Sequence, residues 1–109
     1  MLEPLLGSVN AERVLLFLLA REEGYASEMA AFFDTNLFGI QKQLDKLETG
    51  GLLVSRTVGR TRLYCFSPRY AFAKELKALL QKALSFYPPE ERERLLVVRR
   101  RPRRRGKPL

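Results

Sequence analysis

The stretch TNLFGIQKQLDKLETGGLL, residues 35–53, sets amides and amines at helical spacing. With Leu37, Ile40, Leu44 and Leu47 at i, i+3, i+7 and i+10 as the inward stripe of a helix, the residues left outward are Asn36, Phe38, Gly39, Gln41, Lys42, Gln43, Asp45 and Lys46. Amides that donate and accept, next to ammonium groups that donate, are the chemistry of a face that meets base edges and phosphates. The acids Asp45 and Glu48 come only in its second half. A second cluster, Arg56, Arg60 and Arg62, lies in a stretch with no acid between Glu48 and Glu75. A third, Arg99, Arg100, Arg101, Arg103, Arg104 and Arg105 with Lys107, fills the last eleven residues.

Catalysis has little to draw on. The chain has no histidine and one cysteine, so an imidazole base and the usual imidazole metal ligands are missing, and Cys65 cannot form an internal disulfide. There is also no GxSxG elbow and no P-loop. The expectation is a protein that is not an enzyme and holds no metal or other cofactor, with Cys65 a packing residue of a strand.

The formal net charge of +8 divides unevenly. Residues 99–109 carry seven basic side chains and no acid, whereas residues 1–98 carry 13 basic and 12 acidic ones, a net of +1. Local pattern, not bulk charge, must therefore carry any case for a polyanionic partner. The longest apolar run, Val14 to Ala20, is far shorter than the roughly 18 residues of a membrane span, and MLEPLLGSVNAER has no basic region ahead of its apolar residues. A cytoplasmic protein of one domain, residues 1–98, with a disordered basic tail, residues 99–109, is expected.

The elements that would position these clusters follow from periodicity and punctuation. Residues 11–21, AERVLLFLLAR, read as a helix apolar almost all round, capped by Ser8 or Asn10 and followed by Gly24 just past its end. A body this small is not expected to cover every side of such a helix, so a partner chain is the natural cover. Ser27 to Phe33 form a two-turn helix, Asp34, Thr35 and Asn36 a polar break, and the amide-bearing helix follows until Gly50 and Gly51 end it. Two short helices joined by about three residues are the skeleton of a helix-turn-helix. Leu52 to Arg56 and Arg60 to Phe66 read as two strands around Thr57, Val58 and Gly59, with Tyr64 and Phe66 on one face and Leu63 and Cys65 on the other. A long helix from about Tyr70 to Phe86 carries Phe72, Leu76, Leu79, Leu80 and Ala83 on one face, and Pro88 and Pro89 separate it from a short helix over 89–96.

This order of parts, and IQKQLDKLETGGLLVSRTVGRTRLYCFSP at residues 40–68 in particular, resembles the arsenic-repressor-like (ArsR) family of transcriptional regulators. The likeness spans about residues 8–86 in layout and is specific mainly in 40–68. It implies a mainly α (α+β) fold, a winged helix-turn-helix with a two-stranded β wing and a C-terminal dimerisation helix. It also implies a homodimeric, sequence-specific regulator of transcription, a repressor in the leading reading, whose partner is double-stranded DNA. By that resemblance the third helix enters the major groove through Phe38, Gly39, Gln41, Lys42 and Gln43, with Asn36 and Lys46 at its flanks. Glutamine can pair with adenine, lysine with guanine or phosphate, and Phe38 either packs on a thymine methyl or folds back onto Phe32 or Phe33. Arg56, Arg60 and Arg62 become wing contacts, and the tail arginines backbone contacts that add affinity without choosing a site.

The dimer implied by the resemblance is built from Leu15, Phe17 and Leu18 of the first helix and Phe72, Leu76, Leu79, Leu80 and Ala83 of the fourth, with recognition helices about 34 to 36 Å apart. The cysteine and histidine ligands of the family's metal sensors have no counterpart here, and no small-molecule effector is indicated. Two other readings stand beside this one. One is a winged interaction module docking a separately encoded partner such as a nucleotidyltransferase, and the other an RNA-binding protein led by its tail.

Overall fold

A computed structural model of the chain describes residues 1–97. The tail arginines, Arg99 to Arg105, lie outside the described residues. The elements run α1 (Glu3–Leu6), α2 (Val9–Arg21), β1 (Glu23–Tyr25), α3 (Ala26–Phe32), α4 (Leu37–Thr49), β2 (Leu53–Val58), β3 (Thr61–Phe66), α5 (Ala73–Ser85) and α6 (Pro89–Val97). Together they make a winged helix-turn-helix, with α3 and α4 as the helix-turn-helix and the β2–β3 hairpin as the wing.

Helix α2 is the centre. Ser8 caps it, its Oγ accepting from the Ala11 N–H at 3.1 Å. Val14, Leu15, Leu16, Phe17 and Leu18 are all buried, covered by Met29 of α3, Ile40 and Leu44 of α4, Leu53 and Tyr64 of the wing, Leu80 of α5 and Leu95 of α6. Each large side chain so buried stabilises the fold by about 1.5–3 kcal/mol. A helix apolar on every side is thus explained within one chain, because α6 folds back over it: Arg21 Nε donates to the Leu95 carbonyl at 3.0 Å, and Arg94 lies 4.2 Å above the Phe32 ring.

That covering corrects the expected dimer surface. Leu15, Phe17, Leu18, Leu80 and Ala83 are buried within the single chain and have no surface left for a partner. Of the eight residues only Phe72 (63% exposed), Leu79 (36%) and the half-buried Leu76 still face outward.

The two-stranded wing is as expected, and among the described residues a third strand joins it, in the order β1-β3-β2, all antiparallel. Its additional strand, Glu23–Tyr25, pairs Gly24 with Tyr64, so Gly24 is a strand residue and not the cap of α2. The left-handed residue past α2 is Glu22, at φ 74°. Gly24 is small because the strand crosses directly over α2: a Cβ there would lie 2.6 Å from Phe17 Cε1.

At the end of α4 the glycine signal holds, with Gly51 at φ +86° and the Leu52 N–H returning to the Leu47 carbonyl at 3.0 Å. The hairpin turn is two residues, Gly59 and Arg60, flanked by the pair Val58 and Thr61. It is shorter than the expected Thr57–Gly59 turn: β2 runs two residues further, to Val58, and β3 begins one residue later than expected, at Thr61. Helix α5 starts at Ala73, leaving Tyr70 and Phe72 ahead of it as an edge-to-face pair with centroids 5.7 Å apart.

Candidate nucleic-acid interface

Asn36 starts α4 as expected: its Oδ1 accepts from the Gly39 N–H at 3.1 Å. The polar turn before it places Asp34 at φ 53°, a left-handed conformation that aspartate tolerates better than most residues. The outward face of the helix is narrower than the sequence implies. Phe38 (75% exposed), Lys42, Asp45 and Lys46 face solvent. Phe38 does not fold back; Phe32 and Phe33 instead pack edge-to-face on each other and on Phe17.

Three expected contact residues are not fully outward. Gly39 faces the start of α2, where its Cβ position is 2.8 Å from Asn10 Nδ2. Gln43 turns inward, with a buried Oε1. Gln41 is half-buried at the side, its Nε2 donating at 3.0 Å both to Asp45 Oδ1 and to Tyr64 Oη. The inward stripe also loses a member, since Leu37 is 51% exposed at the first turn.

The wing arginines divide by strand parity. Arg62 is opposite Thr57, on the face that also carries Leu53, Ser55 and Tyr64 and turns toward the core. There Arg62 Nε donates to Ser55 Oγ at 3.1 Å, and Ser55 Oγ donates to Glu48 Oε2 of α4 at 2.7 Å. Arg56 is opposite Leu63 on the other face, with Nη2 3.7 Å from Glu23 Oε1 of β1. Arg60 stands in the turn. The basic finger is therefore split, with Arg60 and Arg62 toward α4 and Arg56 away from it. A cleft of about 260 Å³ separates wing from helix, lined by Tyr25, Ser27, Leu37, Gln41, Arg60 and Arg62 among others.

Several partners of these residues were not identified from sequence: Tyr64 and Asp45 for Gln41, Ser55 and Glu48 for Arg62, and Asn10 against Gly39. The parity of β3 could have predicted that Tyr64 and Arg62 share a face. Nothing in the sequence links Gln41 to Tyr64 across 23 residues.

A larger cavity of about 420 Å³ is lined by residues including Glu12 and Arg13 of α2 with Phe32, Phe33, Tyr87 and Arg94. Burial pushes the Glu12 carboxyl up, but hydrogen bonds from the Tyr87 hydroxyl, the Leu2 N–H and the Met1 amine more than offset this and hold it below the usual carboxylate range. Burial and the adjoining Glu12 carboxylate push the Tyr87 phenol well up. Among the described residues no group of three His, Cys, Asp or Glu side chains is placed to hold a metal ion, and no helix is long and apolar enough to cross a membrane.

No protein-family model matches the chain, and no curated protein matches it. Solved structures do. An apo double mutant of Lactococcus lactis ZitR is 23% identical, with 78% of this chain and 73% of that chain covered, at a TM-score of 0.54. A ZitR single mutant from the same organism is also 23% identical, with coverage of 76% and 64% and a TM-score of 0.53. The adhesin competence repressor AdcR of Streptococcus pyogenes is 13% identical, with coverage of 83% and 73% and a TM-score of 0.53. At these identities the likeness is one of fold, and it agrees with the element order: the chain has the winged helix-turn-helix fold.

Proposed function

We propose that the chain is a sequence-specific DNA-binding regulator of transcription of the ArsR-like kind, a homodimeric cytoplasmic repressor that occupies promoter DNA. The observation that carries this reading is the outward face of α4, where Phe38, Lys42 and Lys46 are held clear of the core, on the helix whose Leu37 and Gln41 line a cleft with Arg60 and Arg62 of the wing. An apolar ring and two ammonium groups on one helical face suit thymine methyls, guanine edges and phosphates in a major groove. The fold shared with a repressor, AdcR, adds support. Asn36 is committed to the cap, and Gly39 and Gln43 are spent on packing, so base reading falls to fewer side chains than the sequence implies.

In this reading two copies meet along α5 through Phe72, Leu76 and Leu79, the members of the expected interface still outward. The winged domain occupies residues 1–98, and the basic segment, residues 99–109, adds backbone affinity. The test is selection of bound duplex from genomic fragments at physiological salt, with the full chain and a version ending at Val98 in parallel. A shared inverted-repeat motif from both is the expected result. Absence of any motif, with binding abolished by removal of the tail, would refute the regulator reading in favour of a protein or RNA partner.

A further inference from the structure

We propose that Gln41 reads DNA as a hydrogen-bond acceptor only, selecting adenine or cytosine at the base it faces, and that Asp45 and Tyr64 are the positioning residues that impose this. The proposal rests on the DNA-binding reading above.

The Gln41 amide has one oxygen and two N–H groups, and either end could point at a partner. Asp45, one turn further along α4, decides which. A carboxylate only accepts, so the nitrogen of Gln41 must face Asp45 Oδ1, 3.0 Å away. The same nitrogen lies 3.0 Å from Tyr64 Oη, so both amide hydrogens are committed. Tyr64 is 1% exposed in the centre of β3, which fixes the position of its hydroxyl relative to α4. Within the described residues Gln41 Oε1 accepts no hydrogen bond, and it is not buried.

A free glutamine pairs bidentately with adenine, its oxygen taking the N6 hydrogen and its nitrogen giving one to N7. Here only the oxygen is left. In the major groove the donors it can meet are adenine N6 and cytosine N4, whereas guanine and thymine present acceptors there. Gln41 therefore accepts adenine and cytosine alike and is repelled by the other two. The arrangement also accounts for an exposed carboxylate on a face that meets a polyanion: Asp45 orients the reader.

The experiment is selection from a randomised duplex library with the full chain as wild type, Gln41→Ala, Asp45→Asn and Tyr64→Phe, each checked for an unchanged circular dichroism spectrum. Gln41→Ala identifies the position, as the one where selectivity disappears while the rest of the motif persists. Wild type is expected to enrich adenine and cytosine there over guanine by about fivefold or more, the low end for one base contact. Asp45→Asn removes the acceptor-only constraint, lets the amide turn over, and is expected to admit guanine. Tyr64→Phe frees one amide hydrogen for N7 and is expected to narrow the preference to adenine. Asp45 is exposed, so its variant keeps the test open if Tyr64→Phe does not fold. A wild-type preference for guanine or thymine at that position, or a profile that neither variant moves, would overturn the proposal and leave the regulator reading standing. No motif from wild type would overturn both.

Discussion

Replacing Gly24 by alanine tests the most crowded contact in the fold. Its Cβ would sit 2.6 Å from Phe17 Cε1, 3.2 Å from Phe17 Cδ1 and 3.3 Å from Met29 Cε. Phe17 and Met29 are both fully buried, and Phe17 is wedged edge-on between Phe32 and Phe33, with ring centroids at 5.8 and 6.4 Å. The ring cannot swing away, so strand β1 must lift from α2 or the aromatic cluster must repack. Inserting a methyl into such a core costs about 1–3 kcal/mol. For a domain of this size that lowers the melting temperature by roughly 4–8 °C per kcal/mol, as read by circular dichroism at 222 nm. The clash has a stated origin, so a second substitution can check it. Phe17→Leu alone should destabilise by opening a void, but with Gly24→Ala it should cost less than the sum of the two, a coupling of about 0.5–3 kcal/mol. A Gly24→Ala melt indistinguishable from the parent, or strictly additive losses, would show that the strand does not press on Phe17 and would refute the reasoning.

Three further outcomes follow from the same geometry. Lys42→Ala and Lys46→Ala together should weaken duplex binding by fluorescence anisotropy and flatten the salt dependence by about 0.9 for each phosphate no longer neutralised, with an unchanged melting temperature. The folded Glu12 carboxyl titrates below its ordinary 4.5, so its contribution is full above 4.5 and is lost as pH falls through the lower folded value. Glu12→Gln should therefore cost stability at pH 7, about 1–3 kcal/mol, and the gap to wild type should close in acid melts. On the proposed interface along α5, Leu79→Lys should leave the chain a monomer in analytical ultracentrifugation where the parent is a dimer, whereas Phe17, Leu15 and Leu18 cannot be tested this way because they belong to the core of one chain.

Much of the architecture was legible because it is local. The stripe Ile40, Leu44 and Leu47, the Asn36 cap and the Gly50–Gly51 stop are written in consecutive residues and hold as read. What was illegible is long-range. Strand β1 is three residues with no alternation to detect, and only its pairing with β3 reveals it. The cover over α2 depends on α6 returning across the chain, which turns an expected interface into a core. The wing shows how small an error matters. An expected three-residue turn puts Arg56 directly opposite Arg60, but the two-residue turn pairs Arg56 with Leu63, which sends Arg56 and Arg62 to opposite faces.

The concentration of the core on α2 has an evolutionary consequence. Phe38, Lys42, Asp45 and Lys46 share a helix with Ile40 and Leu44, but only the latter two are buried in the cluster around α2. Substitutions at the four outward positions leave that cluster intact, so in the proposed DNA-binding role a duplicated copy can drift to a new recognition sequence through folded intermediates. The inherited part is the axle, and the letters it carries are replaceable.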